Sequence, residues 1–317
     1  MSDIATIEPD TALNAQSTAD WTDMPQLSQG ARELVKALAA RAASMEKSGR
    51  RVDELSLFHE RLKADLTLGI KVQRNSVLGD MPEPKPAGDG TLKISLPHQF
   101  ESVLPSFDEV VMRRRSVRDY MDTPIELARI ARMLMLGFGM KSRVRAYGRQ
   151  GIPTFHAPTG GGLQSTRIML VAHNIEGVAR GIHEYLPETH ELLLLSPGEV
   201  RWKMFELCAY QDWIAHSAGV VVLVTDLQRV RWKYEERSYR LAHLDAGVIG
   251  QNMHLAATAL DLASCLVFGF VDDEMDRFLG LEGDADEFTS ILMPFGRQVP
   301  RYMLTTRASA DTKTQSS

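Results

Sequence analysis

The pattern of apolar and polar positions divides the chain before any motif is considered. Residues 1–28 are rich in Ser, Thr, Asp and Ala and show little periodicity, and residues 308–317 are similar, so both ends are expected to be disordered tails. Leu34, Leu38 and Ala42 then recur at helical spacing. After a break at Gly49, Leu55, Phe58, Leu62 and Leu66 fall on one stripe of a second helix. The three prolines within Met81–Gly90 fit neither a helix nor a central strand. The pattern therefore predicts a helical extension and proline-rich linker over 29–90, and a main domain over 91–307.

Within that domain, Thr91–Leu96 alternates as a short strand. Thr123, Pro124 and Glu126 supply an N-cap, a first-turn proline and a capping-box carboxylate for a helix running to about Gly137. Strands are predicted over Ile168–Ala172, Gly181–Leu186 and Glu191–Leu195, the last two forming a hairpin through Pro187–His190. The β-branched run Val220–Thr225 reads as a fully buried central strand. A long helix over Tyr239–Leu260 carries small residues suited to close packing against another helix. A strand over Leu262–Phe270, a helix over Asp272–Leu279 and a strand over Ser290–Phe295 complete the pattern. Helices and strands interleave without repeats, so the class is α+β.

Composition narrows the function classes. Of 317 residues, 44% are hydrophobic, and 41 acids against 36 bases give a net charge of −5. A chain of this length and apolar content can bury a core without disulfides, and it lacks the basic excess that non-specific nucleic-acid binding uses. Cys208 and Cys265 sit in apolar contexts without metal-ligand spacing, so both are expected to be buried free thiols. The first thirty residues hold no signal-peptide core, and no stretch approaches the roughly 20 apolar residues of a membrane helix. The expectation is a cytoplasmic protein with no nucleic-acid, membrane or metal partner.

Four features could carry chemistry. Arg114, Ser116 and Arg118 point the same way if extended, presenting two guanidinium forks and a hydroxyl to a phosphate-like anion. Thr159-Gly160-Gly161-Gly162 lets the backbone approach a flat ligand. Lys233 beside Tyr234 makes a candidate base, since a nearby ammonium favours phenolate. Phe268-Gly269-Phe270 permits close approach of a ring to the main chain. Taken singly, each also has an ordinary structural reading: a solvated charge run, a turn, a helix start and packing.

In this order, Arg114-x-Ser116-x-Arg118, Pro158-Thr159-Gly160-Gly161-Gly162, Trp232-Lys233-Tyr234-Glu235 with Tyr239-Arg240, Gly247 with Gln251-Asn252, and Gly269-Phe270, the chain resembles the SagB-type dehydrogenases. These are azoline dehydrogenases of the FMN-dependent nitroreductase superfamily. The resemblance covers roughly residues 90–300. It implies a nitroreductase-like fold, a mainly antiparallel sheet flanked by helices, in a homodimer with each flavin between two subunits. Arg114, Ser116 and Arg118 would hold the FMN phosphate and ribityl chain, with Arg297 as a further phosphate contact. Thr159, Gly160 and Gly161 would line the isoalloxazine ring, and Phe268 and Gly269 would approach its N5 edge. Lys233 and Tyr234 would be catalytic, with Tyr234 accepting the substrate α-proton and Lys233 either lowering the Tyr234 pKa or acting directly. The chain departs from the family turn in having Thr159 for Ser, and Gly162-Leu163-Gln164-Ser165 where Ala-Leu-Tyr-Pro is common.

The function so implied is oxidation of thiazoline or oxazoline rings, or a related bond, on a peptide or carrier-bound substrate. The N-terminal helices are then candidates for peptide recognition, for a cyclodehydratase partner, or for a dimer arm. The alternatives are an NAD(P)H-dependent flavin reductase of small molecules and a non-catalytic scaffold subunit of a peptide-modifying complex.

Overall fold

The computed structural model describes residues 36, 39–40, 42–48, 54–63, 80–90, 92–101, 103–281 and 286–300. The chain forms two compact units, Met1–Asp65 and Leu66–Ser317. In the first, residues 42–47 are helical and α1 spans Glu54–Arg61, with Leu55 and Phe58 of the expected stripe exposed. Leu34, Leu38, Leu66 and both expected tails lie outside the described residues.

The second unit is built on one antiparallel sheet. Its strands are β1 (Leu92–Ser95), β2 (Tyr120–Met121), β5 (Thr166–Ala172), β6 (Gly181–Leu186), β7 (Glu191–Pro197), β8 (Gly219–Asp226), β9 (Ala263–Ser264) and β10 (Glu287–Gln298). The order is β1-β7-β6-β5-β8-β10-β2, with β9 also on β10. A separate hairpin joins β3 (Met140–Ala146) to β4 (Arg149–Phe155). Among the helices are α2 (Phe107–Arg113), α3 (Leu127–Phe138), α4 (Arg201–Leu207), α5 (Asp212–Ala215), α6 (Gln228–Tyr234), α7 (Ser238–Ala259) and α8 (Asp272–Leu279).

The continuous apolar run of β8 is explained by burial on both faces. Val221 and Leu223, with Ile168 and Leu170 of β5, pack against Met133, Leu134 and Phe138 of α3 and Ile249 and Met253 of α7. Val220, Val222 and Val224, with Met169 and Val171, face Met204 and Leu207 of α4, Ile214 of α5 and Met275 of α8. Each fully buried side chain of this kind is worth about 1.5–3 kcal/mol. Cys208 and Cys265 are free and buried, and burial pushes the Cys208 thiol up to about 12. Among the described residues no helix is long and apolar enough to cross a membrane.

Two expectations fail locally. The capping box at Thr123 does not form: α3 starts at Leu127, its N-cap Glu126 makes no side-chain cap bond, and Thr123 Oγ1 is buried without a partner. The Ile125 N–H donates to Asn174 O and Ile125 O accepts from the Glu176 N–H, which holds this stretch extended. The strand expected over Leu262–Phe270 reduces to β9 and a bridge from Val267 to Leu292.

The proline-rich segment lies in the second unit, where Lys85 pairs with Glu287 and the Gly88 N–H donates to Glu184 at 2.8 Å. The division between units falls at Asp65, ahead of that segment.

Candidate functional site

Lys233 and Tyr234 close α6 rather than opening a helix. Glu235 takes a positive φ of 51°, and a short 3-10 turn, Glu235–Arg237, redirects the chain into α7. The break leaves Lys233 7% exposed, with Nζ donating to Tyr147 Oη at 3.1 Å. The same nitrogen lies 4.8 Å from the Tyr147 ring centroid and 5.4 Å from that of Tyr234, within cation–π reach of both.

Tyr147 stands at the tip of the β3–β4 hairpin, and its hydroxyl donates to Gly161 O at 2.6 Å. The glycine turn is therefore tied to the lysine through one phenol. Gly161 has φ +63°, and a Cβ there would lie 2.8 Å from both the Tyr147 and Tyr234 hydroxyl oxygens. Only glycine satisfies both demands. The neighbouring Gly160 N–H donates to Asp245 of α7 at 2.9 Å, and Ser165 Oγ donates to the same carboxylate at 2.7 Å. Thr159 Oγ1 accepts from the Gln164 N–H at 3.3 Å, so its oxygen braces the turn.

Electrostatics correct one expectation. Burial raises the Tyr234 phenol above its ordinary value of 10, and this outweighs the lowering by Lys233. Burial likewise raises the Asp245 carboxyl, against its hydrogen bonds from Ser165 and Gly160.

A second group surrounds the arginine run. Arg114 caps α2, and the chain from there to Asp119 has no regular structure. It is pinned by Val117 N–H donating to Ser264 O at 2.9 Å and by His254 Nε2 bonding Arg115 O at 2.9 Å. The Arg118 guanidinium stacks 5.6 Å from the Trp213 ring centroid. Arg113 pairs with Asp261 and Glu109, whereas among the described residues no carboxylate pairs with Arg114 or Arg118. Ser116 is exposed, and Ser264 Oγ beneath the run is buried without a partner. Phe268 is 68% exposed, and nothing lies within 4 Å of where a Gly269 Cβ would stand. Arg297 is engaged, pairing with Glu126 and reaching Pro124 O.

The structure thus brings Thr159, Gly160, Gly161, Lys233 and Tyr234 together, and separately gathers Arg114, Ser116 and Arg118 near Ser264. Within one chain the two groups do not meet. Asp245 and His254, which touch one group each, are nine residues apart on α7, or about 14 Å along its axis. Tyr147, Ser165 and Asp245 went unread in the sequence. Asp245 did leave a trace, as a carboxylate among Ala242, Ala246 and Ile249 on the buried side of α7.

A family model described as "Nitroreductase family" matches residues 111–297. A protein of Methanocaldococcus jannaschii named as a candidate nitroreductase is 28% identical over 209 residues, 66% of this chain and 98% of that protein. Among solved structures, a nitroreductase candidate of Anabaena variabilis superposes with a TM-score of 0.51 at 23% identity. That match covers 66% of this chain but 42% of the Anabaena chain, so this chain spans less than half of that protein. A chain of the Escherichia coli microcin synthetase complex, solved with truncated pro-microcin bound, superposes with a TM-score of 0.50 at 16% identity, covering 79% of this chain and 99% of that one. At these identities the structural likenesses speak to the fold.

Proposed function

The chain belongs to the nitroreductase family of oxidoreductases, and from that premise we propose that it binds FMN and dehydrogenates an azoline ring, or a related bond, on a peptide or carrier-bound substrate. The observation that carries the reading is Lys233, buried, hydrogen-bonded to the Tyr147 hydroxyl and lying over both tyrosine rings beside the glycine turn. A reductase fed by a nicotinamide has no substrate C–H proton to remove, whereas a dehydrogenase does.

The residues present fit the cofactor. Arg114 and Arg118 have no carboxylate partner among the described residues, Ser116 adds a hydroxyl between them, and Gly269 leaves open space. When bound, FMN supplies hydride acceptance. The chain's own residues handle the proton. Lys233 Nζ reaches the Tyr147 oxygen directly and lies over the Tyr234 ring, so it stabilises negative charge on either phenol. Removal of the proton from the substrate α-carbon falls to Lys233 or Tyr234, with Tyr147 holding the lysine in place. Gly161 O accepts from Tyr147 and orients that hydroxyl.

A homodimer would complete the site. Leu244 and Val248, one turn apart on α7, are 60% and 42% exposed, and Phe107 and Val111 of α2 are 72% and 46% exposed. Such an apolar stripe suits a second copy. A second copy would also bring one chain's arginine group to the other's lysine group. The microcin synthetase complex, solved with a truncated pro-microcin, is the neighbour that suggests a peptide substrate, and a cyclodehydratase partner belongs to the same proposal.

The test is a purification followed by two mixings without oxygen. Wild type should be yellow and Arg114→Gln/Arg118→Gln colourless. A thiazoline peptide should bleach the yellow protein, and NADPH should leave it unchanged. Bleaching by NADPH alone would select the reductase, and a protein colourless in every preparation would select the scaffold.

A further inference from the structure

Four residues before Lys233, on the same face of α6, stands Arg229. It is 3% exposed, yet its Nε is buried without an acceptor, and its nearest polar contact among the described residues is the Met81 sulfur, 3.5 Å from Nη2. Burial pulls its pKa down. The nearby Asp226 spends a carboxylate oxygen on the Gln228 N–H at 2.9 Å and makes no hydrogen bond to Arg229. A guanidinium taken out of water without an anion to receive its donors is strongly unfavourable. This one is not idle packing, because it borders open space.

That space is a cavity of about 520 Å³ walled by Met81, Glu83, Arg143, Arg149 and Glu188 together with Arg229. Both wall carboxylates are already taken: Glu83 pairs with Arg149 and Glu188 with Arg143. Among the wall residues three guanidiniums face two carboxylates, and Arg229 is the one outside an ion pair; Asp226, which is not part of the wall, acts on it through its field alone. Ile152 of the same wall packs in one apolar cluster with Tyr147 and Tyr234, so the cavity adjoins the lysine group.

We propose that Arg229 anchors a carboxylate of the substrate in this cavity while the carbon to be oxidised lies toward Lys233. A monocarboxylate matches the single excess charge, and its planar pair of oxygens matches the guanidinium fork. A phosphate dianion would overshoot that charge. The substrate class is therefore an acid whose free carboxylate reaches Arg229 while the reacting carbon lies toward Lys233, one helical turn away. The proposal rests on reading Lys233, Tyr147 and Tyr234 as the reacting end.

The experiment uses the full-length purified protein and two probes, N-acetylglycine and N-acetylglycinamide, with binding measured by calorimetry. Wild type should bind the acid at least tenfold more tightly than the amide. Arg229→Met should bind both alike, and its ligand-free Tm should hold or rise by about 2 °C, since a buried unpaired charge has gone. If Arg229→Met does not fold, Arg229→Lys decides: it keeps the charge but loses the second prong, and should weaken the acid several-fold. Wild type that binds neither probe or both alike, or a substituted protein that keeps the preference, would overturn the proposal. Binding is read without turnover, so the two readings fail separately. A protein that prefers the acid but never oxidises an azoline sinks only the azoline reading, and one that oxidises azolines without that preference sinks only this one.

Discussion

The side chain that most changes the site is Tyr147, because it hydrogen-bonds both Lys233 and the glycine turn, accepting from the first and donating to the second. Replacing it with Phe keeps the ring and the T-shaped contact with Trp232, 5.5 Å between centroids, but removes both hydrogen bonds. Loss of a positioned proton-transfer group typically costs about 10²–10⁴-fold in rate. Tyr147→Phe should therefore lower azoline turnover by about 10²-fold or more while the ratio of flavin to protein stays that of wild type. Steady-state turnover alongside flavin absorbance reads both. Unchanged turnover would make Tyr147 a brace for Gly161 alone. The pair Lys233-Tyr234 was legible because its two members adjoin in sequence. Tyr147 was not, since its partner lies 86 residues away and is reached only through the fold of the β3–β4 hairpin.

At the scale of elements, identical local signals met different fates. Ser106 and Glu109 have the same capping spacing as Thr123 and Glu126, and there the cap forms, with Ser106 Oγ accepting from the Glu109 N–H at 3.3 Å. The second pattern lost to Ile125, whose backbone is claimed by Asn174 and Glu176. The β3–β4 hairpin escaped notice for a related reason: β3 does alternate Lys141, Arg143 and Arg145 with Met140, Val144 and Ala146, but its middle five residues are exposed, and Gly151 and Pro153 break the pattern on β4. By contrast β5, β6, β7 and β8 were readable because burial keeps most of their positions apolar, and α8 because one buried face imposes a helical period. Where α3 meets α7 the close approach is made by Gly137 of α3, where a Cβ would fall 2.1 Å from the Met253 sulfur, whereas nothing lies within 4 Å of a Cβ at Gly247 of α7. Gly137→Ala gains about 1 kcal/mol of helix propensity but overpacks a buried crossing at a cost of about 1–3 kcal/mol. The substitution should lower stability in urea denaturation, and Met253→Ala in the same chain should recover part of the overpacking loss. Stability equal to or above wild type would mean that Met253 swings clear.

Across the whole molecule, burying ionisable groups sets how it answers to acid. His173, His183, His190 and His254 are buried, and burial lowers the pKa of each, His173 to about 4. His173 shows why: Nδ1 faces Ser217 O at 3.2 Å, while Nε2 is buried without a partner, so a second proton would have no acceptor. A base whose pKa is depressed by folding binds its proton more weakly in the folded than in the unfolded chain. Its stabilising contribution is therefore complete above the unfolded value of about 6.5 and is lost as pH falls toward 4. For His173 that loss is about 3 kcal/mol. Asp226 and Asp245 act oppositely, because burial raises their pKa and the folded chain takes up those protons first as pH falls. Their effect is confined to the range between 3.8 and their raised values, where it opposes that of the histidines. Unfolding free energies measured at intervals from pH 7 to 5 should fall steadily in wild type. His173→Asn keeps a donor toward Ser217 but cannot take the second proton, so its curve should be flatter by up to about 1.4 kcal/mol per pH unit. Parallel curves for the two proteins would show that His173 reaches water before it titrates, and would return the acid response to the carboxylates.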